Sequence, residues 1–167
     1  LDRYSYNLVE TTDFIRCLEE VTGCNFDEWL HQWIHRGGYP KLELTFDWNA
    51  NDKVATVGIK QTQKSDKKNE ELLFKIPFVL EFYYKNSRER FPVEIKSDKE
   101  KFCFRLKNKP LFFRIDPDYN CPCKVIALDL SRPMLYEQLK RDFDPIGRIE
   151  AALALSKNSS TEDVNIL

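Results

Sequence analysis

The sequence predicts a mainly β protein: an antiparallel, immunoglobulin-like β-sandwich of about seven strands that is flanked by α-helices at both ends. From residue 41 to about residue 130, hydrophobic and polar residues alternate with a period of two, as in strands that have one buried face. These segments are short and begin roughly every 10 to 15 residues, with turn residues and no helical pattern between them. The segments before and after this region instead carry apolar residues at helical spacing.

Two helices are expected before the sandwich. In the first, Thr11 and Thr12 are both competent N-caps, and Gly23 supplies a C-terminal stop. The second has Asn25 as its candidate N-cap and Glu28 three residues further on, which is the spacing of a capping box. The apolar positions that define the two helices are Phe14, Ile15, Leu18 and Val21, then Phe26, Trp29, Leu30, Trp33 and Ile34.

The strands are recognised by alternating apolar positions that polar turns separate, such as the turns over residues 49–53, 86–90 and 97–101. A charged run over residues 64–71 has no periodicity and is interpreted as a loop or a solvated strand connection. The expected core-facing positions are Leu42, Leu44, Phe46, Trp48, Ala55, Val57, Ile59, Ile76, Phe78, Leu80, Phe82, Tyr84, Phe91, Val93, Ile95, Phe102, Phe104 and Leu106, with two last strands over residues 112–115 and 125–130.

The helical period returns beyond Ser131, where two amphipathic helices are expected and Pro145 marks the start of the second. A third helix is expected to begin at Thr161 and to be cut off at Leu167. Some apolar residues of the flanking helices need a partner surface, either the sandwich or a second copy of the chain: Trp29, Trp33, Ile149 and Leu153.

The composition excludes several classes of partner. Lys and Arg number 26 and Asp and Glu 27, so the formal net charge of -1 leaves no basic excess for a phosphate backbone, and no nucleic-acid partner is expected. No apolar run approaches the about 18 residues of a membrane span, so no membrane partner is expected either. The scattered cysteines are odd in number and are interpreted as reduced thiols of a cytoplasmic protein: Cys17, Cys24, Cys103, Cys121 and Cys123.

His31 and His35 stand four residues apart on a predicted helix, so their imidazoles could share a metal ion. The residue after the first histidine is Gln32, however, and a glutamine side chain cannot take a proton from water as the glutamate of a metalloprotease motif does. The chain has no further histidine to complete a ligand set. We therefore interpret both histidines as solvent-facing residues of the helix.

Cys121 and Cys123 would form half of a thiolate zinc site, but Cys103 alone leaves that site one ligand short unless a carboxylate joins. We interpret the pair as a tight connection between two strands. Asp116 and Asp118 suggest a carboxylate pair, yet Asp-Pro at a strand end is ordinary turn chemistry, and nothing polar is expected to converge on it. No catalytic, cofactor-binding or metal-binding residue is therefore predicted in this chain.

The passage from helix to strand near the N-terminus has a specific sequence. Its segments are TTDF at 11–14, LEEVTG at 18–23, FDEWLHQW at 26–33 and GGYPKLEL at 37–44. This passage resembles the end of the catalytic domain of aminopeptidase N-type (gluzincin) zinc metallopeptidases. In that family a helix that ends in a Gln-Trp pair and a Gly-x-Pro step lead into a β-sandwich.

A second stretch is similar to the sandwich exit and first superhelical helices of bacterial members of the same family. Its segments are FRIDPD at 113–118, RP at 132–133 and QLKRDFDPIGRIEAA at 138–152. The same pattern occurs in the metallopeptidase-like second-largest subunit of the general transcription factor TFIID. The strands between the two stretches match only in pattern.

The resemblance implies three parts: residues 1–39 as terminal helices of the peptidase domain, 40–132 as the β-sandwich domain and 133–167 as the start of a C-terminal helical-repeat domain. It implies a non-catalytic fragment whose sandwich is a structural spacer, with other domains of the parent chain as partners. The family's His-Glu-x-x-His motif, its further Glu ligand and its catalytic Tyr would lie upstream of Leu1, so zinc would belong to the parent protein. That parent would be a cytoplasmic aminopeptidase that hydrolyses N-terminal residues from peptides.

Two alternatives stay open. The chain could belong to a scaffold that kept the fold and lost the metal, as the TFIID subunit did, although the segment 37–40 looks more like the active enzymes. An intact or a lost His-Glu-x-x-His motif upstream would separate these two. A free-standing sandwich that binds ligands through its loops would leave the apolar faces of the flanking helices without a partner.

Overall fold

The computed structural model describes residues 4–63 and 72–156. The chain divides into two compact units, and the boundary between them falls between Gly38 and Tyr39. The finer division expected at residues 132–133 stays a prediction. The charged run over 64–71 and the helix expected from Thr161 lie outside the described residues.

The first unit begins with helix α1, Thr11–Thr22. Gly23 ends it as predicted, with a φ of 69° and an N–H group that donates to the Glu19 carbonyl at 2.8 Å. The prediction that Thr11 or Thr12 caps this helix is wrong, because both threonines lie inside the first turn and Glu10 occupies the cap position. The backbone N–H of Glu10 donates to the Asp13 carboxylate at 3.1 Å, which is one half of a capping box.

The second predicted helix is in two parts, a short α2 over Asp27–Leu30 and a π-helical turn over His31–His35. The π turn is defined by the N–H of Arg36, which donates to the His31 carbonyl at 2.9 Å, five residues back. The prediction of a capping box between Asn25 and Glu28 is wrong. Asn25 instead accepts a hydrogen bond of 3.0 Å from the N–H of Asp27, two residues on.

Seven strands form two sheets in the described part of the second unit, and they confirm the predicted fold class, a mainly β sandwich with flanking helices. One sheet has the strand order β5-β2-β1-β7 and the other has the order β4-β3-β6. The strands are β1 Lys41–Asn49, β2 Val54–Gln61, β3 Ile76–Tyr83, β4 Arg88–Ile95, β5 Lys99–Arg105, β6 Phe112–Ile115 and β7 Lys124–Asp129.

The pairing of β1 with β7 departs from a fully antiparallel sandwich. These two strands are parallel, with Leu44 opposite Leu128, whereas the other paired strands of the described residues are antiparallel. In an immunoglobulin constant domain the last strand joins the opposite sheet instead. A parallel pair needs a long connection, and here the rest of the sandwich supplies it.

The core lies between the two sheets and is built from the alternating positions of the strands. Phe46 of β1 stacks on Phe113 of β6 with ring centroids 5.3 Å apart, and Phe82 of β3 meets Phe104 of β5 at 5.2 Å. Each of these contacts joins one sheet to the other. Further side chains that are almost fully buried are Leu42, Leu44, Ala55, Val57, Ile59, Phe74, Ile76, Phe78, Leu80 and Ile95.

Two helices follow β7, as predicted: α3 Arg132–Arg141 and α4 Pro145–Ser156, with the proline at the first helical position. Helix α3 packs against β6 and against α4. The side chains that these helices bury are Met134, Leu135 and Gln138 of α3 and Ala151 and Leu155 of α4. The opposite face of α4 remains exposed at Ile149 and Leu153, two of the positions for which a partner surface was expected.

Candidate functional site

A buried arginine joins the sandwich to the two helices at its C-terminal end. Arg114 lies on the short strand β6, and only 4% of its side chain is exposed. Its guanidinium donates to the carboxylate of Asp142 at 3.3 Å and to that of Asp144 at 2.8 Å. Both aspartates belong to the corner between α3 and α4, so the ion pairs fasten this corner to the sheet.

The pKa shifts in this cluster have identifiable causes. Burial lowers the pKa of Arg114, but the hydrogen bond to Asp144 and the charge of Asp142 outweigh it and raise that pKa above its usual value. A hydrogen bond from Tyr119 and one from the backbone N–H of Ile146 lower the pKa of Asp144. Both shifts favour the charged forms of Arg114 and Asp144. Asp142 is the most buried acid of the cluster, with 1% of its side chain exposed, and its carboxylate faces the same guanidinium.

Tyr119 covers the outer side of the cluster. Its hydroxyl accepts a hydrogen bond of 2.5 Å from Arg114 and donates a short one to Asp144. The Arg114 guanidinium also lies 5.4 Å from the centre of the Tyr119 ring, within the range of a cation–π contact. Partial burial and the hydrogen bond to Asp144 raise the pKa of the Tyr119 hydroxyl to about 12, so it stays protonated and able to donate.

Asp116 organises the loop that presents Tyr119. Its buried carboxylate accepts hydrogen bonds from the backbone N–H groups of Asn120 at 3.0 Å and Cys121 at 2.8 Å. Its own backbone has a φ of 46°, the left-handed region that Asp tolerates better than most residues. These hydrogen bonds stay within one loop, as the interpretation of this segment as turn chemistry predicts. Asp118 turns away and pairs with Arg90 of β4, so the two carboxylates do not form a catalytic pair.

The corner between α3 and α4 is shaped to receive the arginine. Asp144 accepts a hydrogen bond of 3.0 Å from the N–H of Ile146 and so caps the start of α4. The side chain of Arg148 donates to the Asp142 carbonyl at 2.7 Å. A β-carbon at Gly147 would lie 2.0 Å from an Asp142 carboxylate oxygen, so this position requires glycine.

A cavity of about 110 Å³ lies next to the cluster. The polar and sulfur-bearing side chains that line it include Arg114, Asp116, Tyr119, Cys121, Cys123 and Glu150. Burial raises the pKa of Glu150, whose carboxyl group belongs to this wall although much of the residue is exposed. The carboxylates of Asp116, Asp142 and Asp144 are already bonded to Arg114 or to backbone N–H groups, so these three side chains fix the local structure.

The sequence-derived metal candidates do not come together as one ligand set in the described residues. His31 and His35 are both exposed at the two ends of the π turn. Cys103 lies on β5, where its sulfur contacts the Thr56 hydroxyl at 3.7 Å. Within residues 4–63 and 72–156, no group of three or more His, Cys, Asp or Glu side chains could hold a metal ion. The described residues therefore offer no ligand set for zinc, which the family resemblance assigns to a part of the parent protein upstream of Leu1.

Sequence reasoning missed the Arg114 cluster. The feature that could have revealed it is a charged residue inside an apolar strand, Phe112-Phe113-Arg114-Ile115, because a buried charge requires a partner. The partners lie 28 and 30 residues further along the chain, beyond the reach of local pattern.

The fold and the cluster together define a two-sheet sandwich whose outgoing helices are fixed to it by buried ion pairs. The sandwich and its flanking helices are similar to part of the crystal structure of Legionella pneumophila aminopeptidase A in complex with aspartic acid. The TM-score is 0.67 at 19% sequence identity, and the match covers 90% of this chain and 17% of that one.

The similarity to aminopeptidase A concerns the fold, and this chain spans only 17% of that protein's length. No protein-family model matches the sequence. No curated protein matches it either. Among the helices that the structure describes, none is both long enough and apolar enough to cross a membrane.

Proposed function

We propose that this chain is a non-catalytic part of an aminopeptidase-like protein, in which the sandwich is a structural spacer between a catalytic domain and a C-terminal helical domain. The observation that carries the proposal is the buried ion pairing of Arg114 with Asp142 and Asp144. The similarity in fold to part of aminopeptidase A supports it.

A spacer must hold the helical domain after it in one orientation, and the cluster is suited to that task. Hydrophobic contact is non-directional, so α3 could slide on β6 if apolar packing were its only attachment. A guanidinium that binds two carboxylates accepts a narrow range of geometries, and breaking a buried pair costs about 3–5 kcal/mol. The corner that holds Asp142 and Asp144 is therefore fixed in position relative to Arg114.

The exposed face of α4 also supports a spacer. Ile146, Ile149 and Leu153 are 49%, 57% and 59% exposed and lie on one side of the helix. A stripe of this kind is where a further helical layer of the parent protein would pack. Other domains of the parent chain are accordingly its proposed partners, and no partner among nucleic acids or membranes is proposed.

The proposed parent is a cytoplasmic, zinc-dependent enzyme that removes N-terminal residues from peptides. In this proposal the zinc is held by a part of the parent outside this chain, because the described residues offer no ligand set. Incubation of the 167-residue chain with zinc and amino-acid anilides should give no turnover. Product release above the blank would contradict the non-catalytic assignment.

The spacer role is tested by hydrogen exchange of the same chain. Arg114→Met should speed exchange in α3 and α4 while the strands β1, β2 and β3 stay protected, because only the attachment of the helices is lost. Arg141→Met is the matched control, since Arg141 pairs with Glu137 on the surface of the same helix. Equal exchange in both variants, or loss of protection throughout the sandwich, would contradict a local fastening role.

A further inference from the structure

Two cysteines share one tight turn between β6 and β7. The backbone N–H of Cys123 donates to the carbonyl of Cys121 at 2.8 Å, so the three residues form a γ-turn with Pro122 at its centre. The ring of proline fixes φ near the value that the centre of an inverse γ-turn requires. The sequence therefore favours this turn before any contact with the rest of the protein.

The turn brings the two cysteines into the range in which disulfides form. Consecutive α-carbons lie about 3.8 Å apart, and a chain bent by a bond from residue i+2 to residue i holds those two residues within the about 4.4–6.8 Å that a disulfide spans. The two side chains line one common cavity. Both thiols are free and partly accessible.

Two backbone hydrogen bonds hold the turn that carries the two cysteines in place. The N–H of Cys121 donates to the buried carboxylate of Asp116 at 2.8 Å, and on the other side the N–H of Lys124 donates to the Pro40 carbonyl at 2.9 Å. Both sulfur-bearing side chains line the cavity of about 110 Å³ next to the Arg114 cluster. The turn that carries both cysteines is thus held in place at the wall of this cavity.

The two thiols differ in acidity. The hydrogen bond from Cys121 lowers the pKa of Cys123, while that same bond and burial raise the pKa of Cys121. The charge of Asp116 raises both pKa values. Cys123 is therefore the better thiolate and Cys121 the proton-bearing partner, which is the division between an attacking and a resolving thiol.

We propose that Cys121 and Cys123 form a dithiol site that reacts with small-molecule disulfides and closes to an intramolecular Cys121–Cys123 disulfide. The Cys123 thiolate attacks one sulfur of the small disulfide, forms a mixed disulfide and expels the first small thiolate. Cys121 then loses its proton to solvent and attacks the Cys123 sulfur, which expels the second thiolate. The dithiol gives up two electrons, and the small disulfide is reduced to two thiols.

The other cysteines provide internal controls. Cys24 and Cys103 are both exposed and free. The nearest cysteine in sequence is Cys17 for Cys24 and Cys121 for Cys103, and neither is in the same turn. Without an adjacent thiol, each should stop at a mixed disulfide. The same reaction mixture thus contains thiols of both kinds on one chain.

The test equilibrates the full chain in mixtures of reduced and oxidised glutathione, blocks the remaining thiols and maps the products by peptide mass. At a fixed ratio of the two forms, a tenfold dilution of total glutathione should raise the ratio of Cys121–Cys123 disulfide to dithiol about tenfold, because closure releases two thiols for each disulfide consumed. The mixed disulfides of Cys24 and Cys103 should not change, because they release only one.

Two variants check the roles of the thiols. Cys121→Ser should accumulate glutathione on Cys123, and Cys123→Ser should accumulate it on Cys121, because neither variant retains a second thiol that could close the disulfide. Far-ultraviolet circular dichroism would confirm that both variants keep the fold. Mixed disulfides at residues 121 and 123 that are insensitive to dilution, or no reaction while Cys24 and Cys103 react, would overturn the proposal.

Discussion

Gly147 on α4 approaches Asp142 so closely that a β-carbon there would lie 2.0 Å from a carboxylate oxygen and 3.1 Å from the Arg114 guanidinium carbon. The two residues are five positions apart, and the corner between α3 and α4 brings them together. Closeness on this scale leaves no room for the smallest side chain. The glycine is therefore part of the ion cluster, although it contributes no charge.

Gly147→Ala should destabilise the protein. Alanine is the better helix former by about 1 kcal/mol, so helix propensity alone predicts a gain. The steric conflict must displace Asp142 from Arg114, and we expect a net loss of about 2–4 kcal/mol in the free energy of unfolding, measured with urea. Gly37→Ala is the control, because nothing lies within 4 Å of its added carbon. A neutral or stabilising Gly147→Ala would contradict the geometry of the corner.

Arg114→Met should cost about 3–5 kcal/mol of unfolding free energy, because it leaves the Asp142 carboxylate buried without its partner. Asp142→Asn in the same background should then cost much less than it does alone. A double-mutant cycle from urea unfolding should give a coupling energy of about 0.5–3 kcal/mol. Arg141→Met, whose partner Glu137 is partly exposed, should change stability by about 1 kcal/mol or less. Additive effects of the Arg114 and Asp142 substitutions would contradict the pairing.

The strands and the C-terminal helices could be predicted from the sequence, because burial on one face gives each element its own period. Alternation over 42–48 and 76–84 marks β1 and β3, and Pro145 marks the first residue of α4. The partner of a strand is not encoded in its period, so the parallel pairing of β7 with β1 could not be predicted.

The structural features that could not be predicted from the sequence depend on contacts between distant residues or on small differences in backbone geometry. Arg114 and Asp142 are 28 residues apart, and nothing in either local pattern points to the other. The π turn over 31–35 differs from an α-helix by one residue in its hydrogen-bond spacing, which the apolar positions do not resolve. Glu10 caps α1 through Asp13, although it is a less usual cap than the neighbouring threonines.

The protein should lose stability on acidification through the titration of Asp144. Its native pKa lies below the ordinary value of 3.8, so the unfolded chain binds more protons and stability rises with pH in this range. The contribution is complete above pH 3.8 and is lost as the pH falls through the native pKa. Tyr119→Phe removes the largest cause of the shift and should raise the Asp144 pKa, which carbon-13 NMR of the carboxyl group would measure. Tyr39→Phe, at an exposed tyrosine, should leave that pKa unchanged.

Glu150→Gln should stabilise the protein at neutral pH. Burial raises the native pKa of Glu150 above its ordinary value of 4.5; Arg114 opposes this shift and Asp144 adds to it. The folded state therefore binds more protons than the unfolded one here, so the wild type loses stability as the pH rises from below 4.5 through the native pKa. A glutamine side chain does not ionise, so the variant does not lose stability over this pH range. The urea midpoint of the variant should exceed that of the wild type at pH 7, and the difference should shrink at about pH 4, where the wild-type carboxyl is mostly protonated in the native state. A difference in urea midpoint that does not change with pH would mean that the effect comes from packing, and it would contradict the role of ionisation.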